Sequence, residues 1–318
     1  MKKLSFLFAV AFLLVSPDAF SQSSSPDSAR IVTSDIVKFW SAYDLFSSGM
    51  SHQDSLRILF ESYLLNASPG LEDFIQARIG GAIPLLRTIN NHSKFYASMR
   101  EPTLQAVDFK GPMRQAFFAL DSLYDRAVFP DVYLLIGRLN SGGTFSDQRI
   151  LIGTEMHALS DHTDLSELSD WHRQVLKPIE KIPHIVAHEL VHYQQEHRQH
   201  SRTLLAQSLM EGSADFIGEL ISGEHPNKHI HDWADPREEE LWNEFKEKMS
   251  GTSYEGWLYG GTDVTERPAD LGYWMGYRIV EYYVARSSDK REAIRKVIEI
   301  KEAEAFLEQS GYKDKFAK

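Results

Sequence analysis

Apolar residues recur at helical spacing through the first hundred residues after the leader. Thr33 or Ser34 is placed to cap a helix bearing Ile36, Val37, Phe39, Trp40, Tyr43 and Leu45. The same period continues through Leu56–Leu64, through Phe74–Ile79, through Ile83–Ile89, and over Met113–Leu123 with Phe117, Leu120 and Leu123 on one face. At Pro130 the pattern changes. Val132–Gly137 and Arg149–Gly153 are short unbroken apolar runs on either side of Ser141-Gly142-Gly143-Thr144, which predicts a small sheet with a glycine-rich connection. Helical periodicity then returns over about Pro183–Gln199, Thr203–Ile221, Arg237–Met249, Leu271–Ala285 and Arg291–Ile298. Helices, a small sheet, then helices predict a predominantly α-helical α+β fold.

The N-terminus has another character. Lys2 and Lys3 precede an apolar run from Leu4 to Val15, Pro17 breaks it, and Ala19 and Ser21 put small residues where a signal peptidase needs them. The run is shorter than the roughly 20 residues that span a bilayer. Residues 1–21 are therefore read as a cleaved secretory signal. The product is expected to be exported, periplasmic or secreted, with no stable membrane insertion. Residues 22–30, rich in Ser, are read as a flexible leader. The remainder, 31–318, is expected to form one unit: a helical layer over 31–128 and a chemistry-bearing part over 129–318.

Composition narrows the chemistry. Of 318 residues, 42% are hydrophobic and 25% charged, as in globular domains. The net charge of −11 and the lack of a basic stripe argue against nucleic acid and disfavour strongly anionic substrates. The chain has no Cys, which excludes disulfides, thiol catalysis and thiolate metal sites. Any metal must be held by His and carboxylates.

Eight of the 13 His fall between His157 and His200, and among them stands His188-Glu189-Leu190-Val191-His192. On a helix, positions four apart share a face, so both imidazoles can reach one Zn²⁺ while Glu189 sits beside its water as general base. In one zinc arrangement a third His ligand would stand six residues after His192 and a Gly three after; here those positions are Arg198 and Gln195, so that arrangement fails. Met210-Glu211-Gly212-Ser213-Ala214-Asp215 fits another: Glu211 as third ligand, and Asp215, one turn on, to orient His188. The small residues between them allow close helix approach. Glu219 is a fallback ligand. His184, His197 and His200 are read as solvent-facing or supporting residues, with His184 the nearest to the ligand face. Tyr273 and Tyr277, one turn apart beside Arg267 and Arg278, are candidate oxyanion donors, and Tyr254, Trp257 and Tyr259 are candidate cleft residues.

Through His188-Glu189-x-x-His192 and Glu211-x-x-x-Asp215 the chain resembles the gluzincin group of zinc metallopeptidases. More narrowly it looks like the bacterial predicted Zn-dependent proteases, and it is similar to the gliding-motility-associated lipoprotein B group. The segments Thr33–Asp44 and Gly272–Tyr277 carry that second likeness. Members of the motility group are lipoproteins, and this chain has no Cys to lipidate. The resemblance implies a zincin-like fold whose sheet edge lies above the active-site helix, and a peptide or protein substrate. The function expected is an exported zinc peptidase. The alternative is a zinc-binding envelope protein that binds a partner with little turnover.

Overall fold

The computed structural model describes residues 24–195, 201–225, 227–259 and 267–316. The expected signal at 1–21 lies outside them, as do His197 and His200. No helix among the described residues is long and apolar enough to cross a membrane.

Seven helices build the N-terminal layer: α1 (Ser34–Tyr43), α2 (His52–Leu59), α3 (Pro69–Phe74), α4 (Ala82–Asn91), α5 (Ser93–Ser98), α6 (Arg100–Gln105) and α7 (Lys110–Leu123). Their starts follow local chemistry. Ser51 and Ser68 accept from the backbone N–H of Asp54 and Leu71, and Pro69 opens α3, where its missing N–H costs nothing. Residues 24–30, expected to be loose, pack instead: Pro26 and Ala29 are buried, and Arg114 of α7 donates to both their carbonyls.

The sheet has four strands in the order β1-β2-β4-β3: β1 (Ile31–Val32), β2 (Asp131–Leu135), β3 (Thr144–Phe145) and β4 (Arg149–Gly153). β2 is parallel to β1 and β4, and the edge strand β3 runs antiparallel to β4. Val132 to Leu135 and Ile150 to Gly153 are buried on both faces, which is why they read as continuous apolar runs. α1 packs on β2, α3 on both central strands, and α9 on β4.

The C-terminal part adds α8 (Asp170–Val175), α9 (Ile182–Gln194), α10 (Leu204–Ser222), α11 (Lys228–Ala234), α12 (Glu238–Lys248), α13 (Leu271–Arg286), α14 (Lys290–Ile298) and α15 (Ala303–Ser310). The fold is predominantly α-helical α+β, as the periodicity predicts. α10 is its axis, packed between α9 and α13. At the crossing with α13, a Cβ on Gly276 would lie 1.7 Å from the carbonyl oxygen of Ser208, and one on Gly212 would lie 2.1 Å from the amide nitrogen of Tyr277. Only glycine on both sides permits this backbone contact. The buried core runs without a break from Ala29 to Tyr312, so the helical layer and the C-terminal part share it.

Candidate metal centre

α9 carries the first residues of the site. Nearly all of it is buried, with Val186, Ala187, Leu190 and Val191 packed away from the cavity. That leaves His188 and His192 side by side, ring centroids 4.5 Å apart. The helix ends at Gln194. Gln195 turns extended, and its side chain folds back so that Oε1 accepts from Nδ1–H of His192 at 2.7 Å. The Gln195 amide orientation is fixed because its nitrogen donates to Met210 O at 2.9 Å and to Ser213 Oγ at 2.8 Å. From α10, Asp215 Oδ1 accepts from Nδ1–H of His188 at 2.8 Å. α10 itself starts at a Thr203 cap and stops at Gly223 in the left-handed region.

These bonds decide what the other ring nitrogens can do. With both Nδ1 atoms protonated, each neutral ring presents a lone pair at Nε2. Both lone pairs face Glu211 Oε2, at 3.5 Å from His188 and 3.0 Å from His192. The ligand atoms of His188, His192 and Glu211 all lie within 4.8 Å of one another. Three acceptors converging on one point, those of His192 and Glu211 buried and that of His188 partly so, call for a cation there, and an N,N,O set suits Zn²⁺. A proton on His188 meets the same demand, in competition with a metal ion. Burial is the largest influence on His188 and pulls its pKa down, yet hydrogen bonds to Asp215 and Glu211 and the charges of Asp215 and Glu189 lift it well above the usual histidine value. Burial likewise pushes Glu211 up, and the two imidazoles overcome it and hold the carboxyl well below the usual range.

Glu189 points to the other side of the centre. It lines a cavity of about 710 Å³ with His188, Asp215 and Tyr273. A Cβ on Gly143 would meet Glu189 Oε1 at 2.5 Å, so the glycine lets the backbone leading into β3 pass directly over the carboxylate. Burial raises the Glu189 pKa, opposed by His192 and His188. The turn at 154–157 holds that loop: Glu155 accepts from the N–H groups of Gly137 and Leu139 at 2.8 and 3.2 Å, and the His157 ring meets Gly142 O at 3.0 Å.

The two candidate tyrosines part company. The Tyr273 ring lies nearly parallel to that of His188, centroids 6.3 Å apart, and lines the cavity. Burial keeps its hydroxyl protonated, hence a donor. Tyr277 is turned away: its hydroxyl donates to Glu219 Oε2 at 2.6 Å, and its ring packs on Phe216, His225 and His231. That bond also takes Glu219 out of the ligand group. His184 ties α9 to the end of α10 through Ser222 Oγ at 2.8 Å and Glu224 at 2.9 Å.

The expected cleft aromatics do other work. Trp257 is buried against Phe245, and Tyr254 donates to Arg202 O. Tyr259, in the left-handed region at φ 52°, donates to Glu211 Oε1 at 2.8 Å and so leaves Oε2 for the centre. Trp171 and Trp233, which the sequence did not single out, line the cavity together with Tyr273.

The site thus sets a His-His-Glu group that can hold a metal, zinc by its donor set, beside a carboxylate-lined cavity. Residues 160–307, a little under half the chain, match the family model described as "Predicted Zn-dependent protease (DUF2268)". The matched stretch includes α9, α10 and α13, and the chain is similar to that family there. No match is found among curated proteins or among solved structures.

Proposed function

We propose that this chain is an exported zinc-dependent peptidase that cleaves peptide bonds in peptide or protein substrates. The observation that carries the reading is the convergence of two Nε2 lone pairs and Glu211 Oε2 beside the Glu189 carboxylate. His188, His192 and Glu211 would hold the metal. When bound there, Zn²⁺ supplies a Lewis acid for the scissile carbonyl and a lowered pKa for water. Glu189 takes the proton of the attacking water and delivers it to the leaving amine nitrogen. Tyr273 donates a hydrogen bond to the oxyanion that develops on the carbonyl. Asp215 and Gln195 fix the two rings in the tautomer that binds metal. Thr144–Phe145 is the sheet edge next to this site, and an extended substrate backbone can pair with it. Export rests on the pattern at 1–21.

The test is to purify the chain lacking 1–21, measure bound zinc, and follow cleavage of a broad peptide mixture with and without chelator. The expected result is stoichiometric zinc and hydrolysis that chelator abolishes and zinc restores. Stoichiometric zinc with no cleavage of any peptide would favour the binding-only alternative.

A further inference from the structure

Two cationic side chains line the same cavity as Glu189. Lys177 lines it, with its backbone fixed by hydrogen bonds to Met156 O at 3.0 Å and from Leu159 N–H at 3.1 Å. Among the described residues no carboxylate comes within ion-pair distance of its ammonium. Burial pushes the Lys177 pKa down and Lys181 adds to this, while the charges of Asp215 and Asp270 oppose it. Arg267 lines the same cavity. One of its nitrogens, Nη1, donates to Glu244 at 2.6 Å, and its guanidinium stacks 4.7 Å over Trp257. Its Nε and Nη2 are buried and meet no acceptor among the described residues. Such N–H groups on a cation cost stability, and the part of the side chain that stays a third exposed lines the cavity. Two carboxylates besides Glu189 line the cavity: Asp215 is engaged by His188 and by Asn227 Nδ2 at 3.4 Å, and Asp270 stands just before α13, outside ion-pair distance of Lys177.

We infer that the cavity binds a substrate carboxylate, received by Lys177 and Arg267. The inference rests on the peptidase reading and names the class of its substrate. The negative charge of the whole chain acts at long range and is screened, whereas these two groups act at contact. A volume of about 710 Å³ has room for a substrate residue and its neighbour. The carboxylate has two sources: the free C-terminus of a peptide, or an Asp or Glu side chain next to the scissile bond.

Two matched pairs of peptides separate them, assayed on the zinc-loaded chain. The first pair has no acidic residue and ends in a carboxylate or in an amide. The second pair is amidated and carries Glu or Gln beside the cleaved bond. The expected result is a kcat/KM about tenfold or more higher for the carboxylate member of one pair, which identifies the source. Lys177→Met and Arg267→Gln should each remove that preference by slowing the carboxylate peptide alone, and Lys177→Arg should keep it. Equal rates within both pairs would overturn the inference, as would variants that slow every peptide alike. If no peptide is cleaved, the peptidase reading fails, and calorimetry of the same pairs decides the subsite separately. Tighter binding of a carboxylate member supports it, and equal binding overturns it.

Discussion

Asp215 Oδ1 lies 2.8 Å from Nδ1 of His188, and this bond joins α10 to α9 at the point where the metal ligands meet. It makes the imidazole more basic and fixes the tautomer that presents Nε2. Asp215→Asn keeps the shape and removes the charge. It should weaken zinc binding by about 10- to 100-fold in a competition titration, with the far-ultraviolet circular dichroism unchanged. Unchanged affinity would show that the bond does not tune the ligand.

Tyr259 reaches Glu211 from a loop, and its own ring is 55% exposed. Losing the hydroxyl therefore leaves no core cavity. Tyr259→Phe should keep the melting temperature within about a degree of the parent. It should weaken zinc binding about ten- to a hundredfold, the worth of one hydrogen bond to a charged acceptor.

The contact between α10 and α13 has no room for a methyl group at Gly276. Gly276→Ala should destabilise the chain by about 3 kcal/mol or more in urea unfolding, because the atom it meets is backbone and cannot swing aside. Gly111→Ala is the contrast. Its Cβ would meet nothing within 4 Å, and it lies in α7, so the change should stabilise by up to about 1 kcal/mol.

Two groups in the turn that holds the Gly137–Gly143 loop titrate in opposite senses. Burial raises Glu155 from 4.5 to about 7, against the N–H groups of Gly137 and Leu139. Its contribution to stability is present below pH 4.5 and is lost as pH rises through about 7. Burial lowers His157 from 6.5 to about 4, so its contribution is present above pH 6.5 and is lost as pH falls through about 4. Each is worth about 3 kcal/mol, and between pH 4.5 and 6.5 they offset one another. Glu155→Gln removes one side. Across that window its unfolding free energy should rise with pH relative to the parent, and that of His157→Gln should fall. A constant difference in either series would contradict the assignment.

The long periodic helices were legible. Leu271–Arg286 and Leu204–Ser222 lie within a residue of the ranges their apolar spacing predicts, because each is amphipathic over several turns. Strands of two residues, Ile31–Val32 and Thr144–Phe145, carry no period to read, and their pairing comes from what the chain places beside them. α9 ends earlier than its pattern predicts, since Gln195 leaves the helix to bond His192. His188 and His192 followed from helical spacing and Glu211 from its fit to a known zinc arrangement, whereas Gln195 and Tyr259 act from a helix end and a loop, where no spacing rule operates. Tyr273 and Tyr277 stand one turn apart on α13, and tertiary packing separates them: Tyr273 lines the cavity, and Tyr277 is held by Glu219.

In the proposed reaction Glu189 moves the proton while His188, His192 and Glu211 hold the metal. Zinc content and peptide hydrolysis of the parent chain and Glu189→Gln, measured side by side, separate the two roles. Equal zinc in both and turnover lower by about a hundredfold or more in the variant are expected. Equal hydrolysis by the two forms would contradict the role of Glu189.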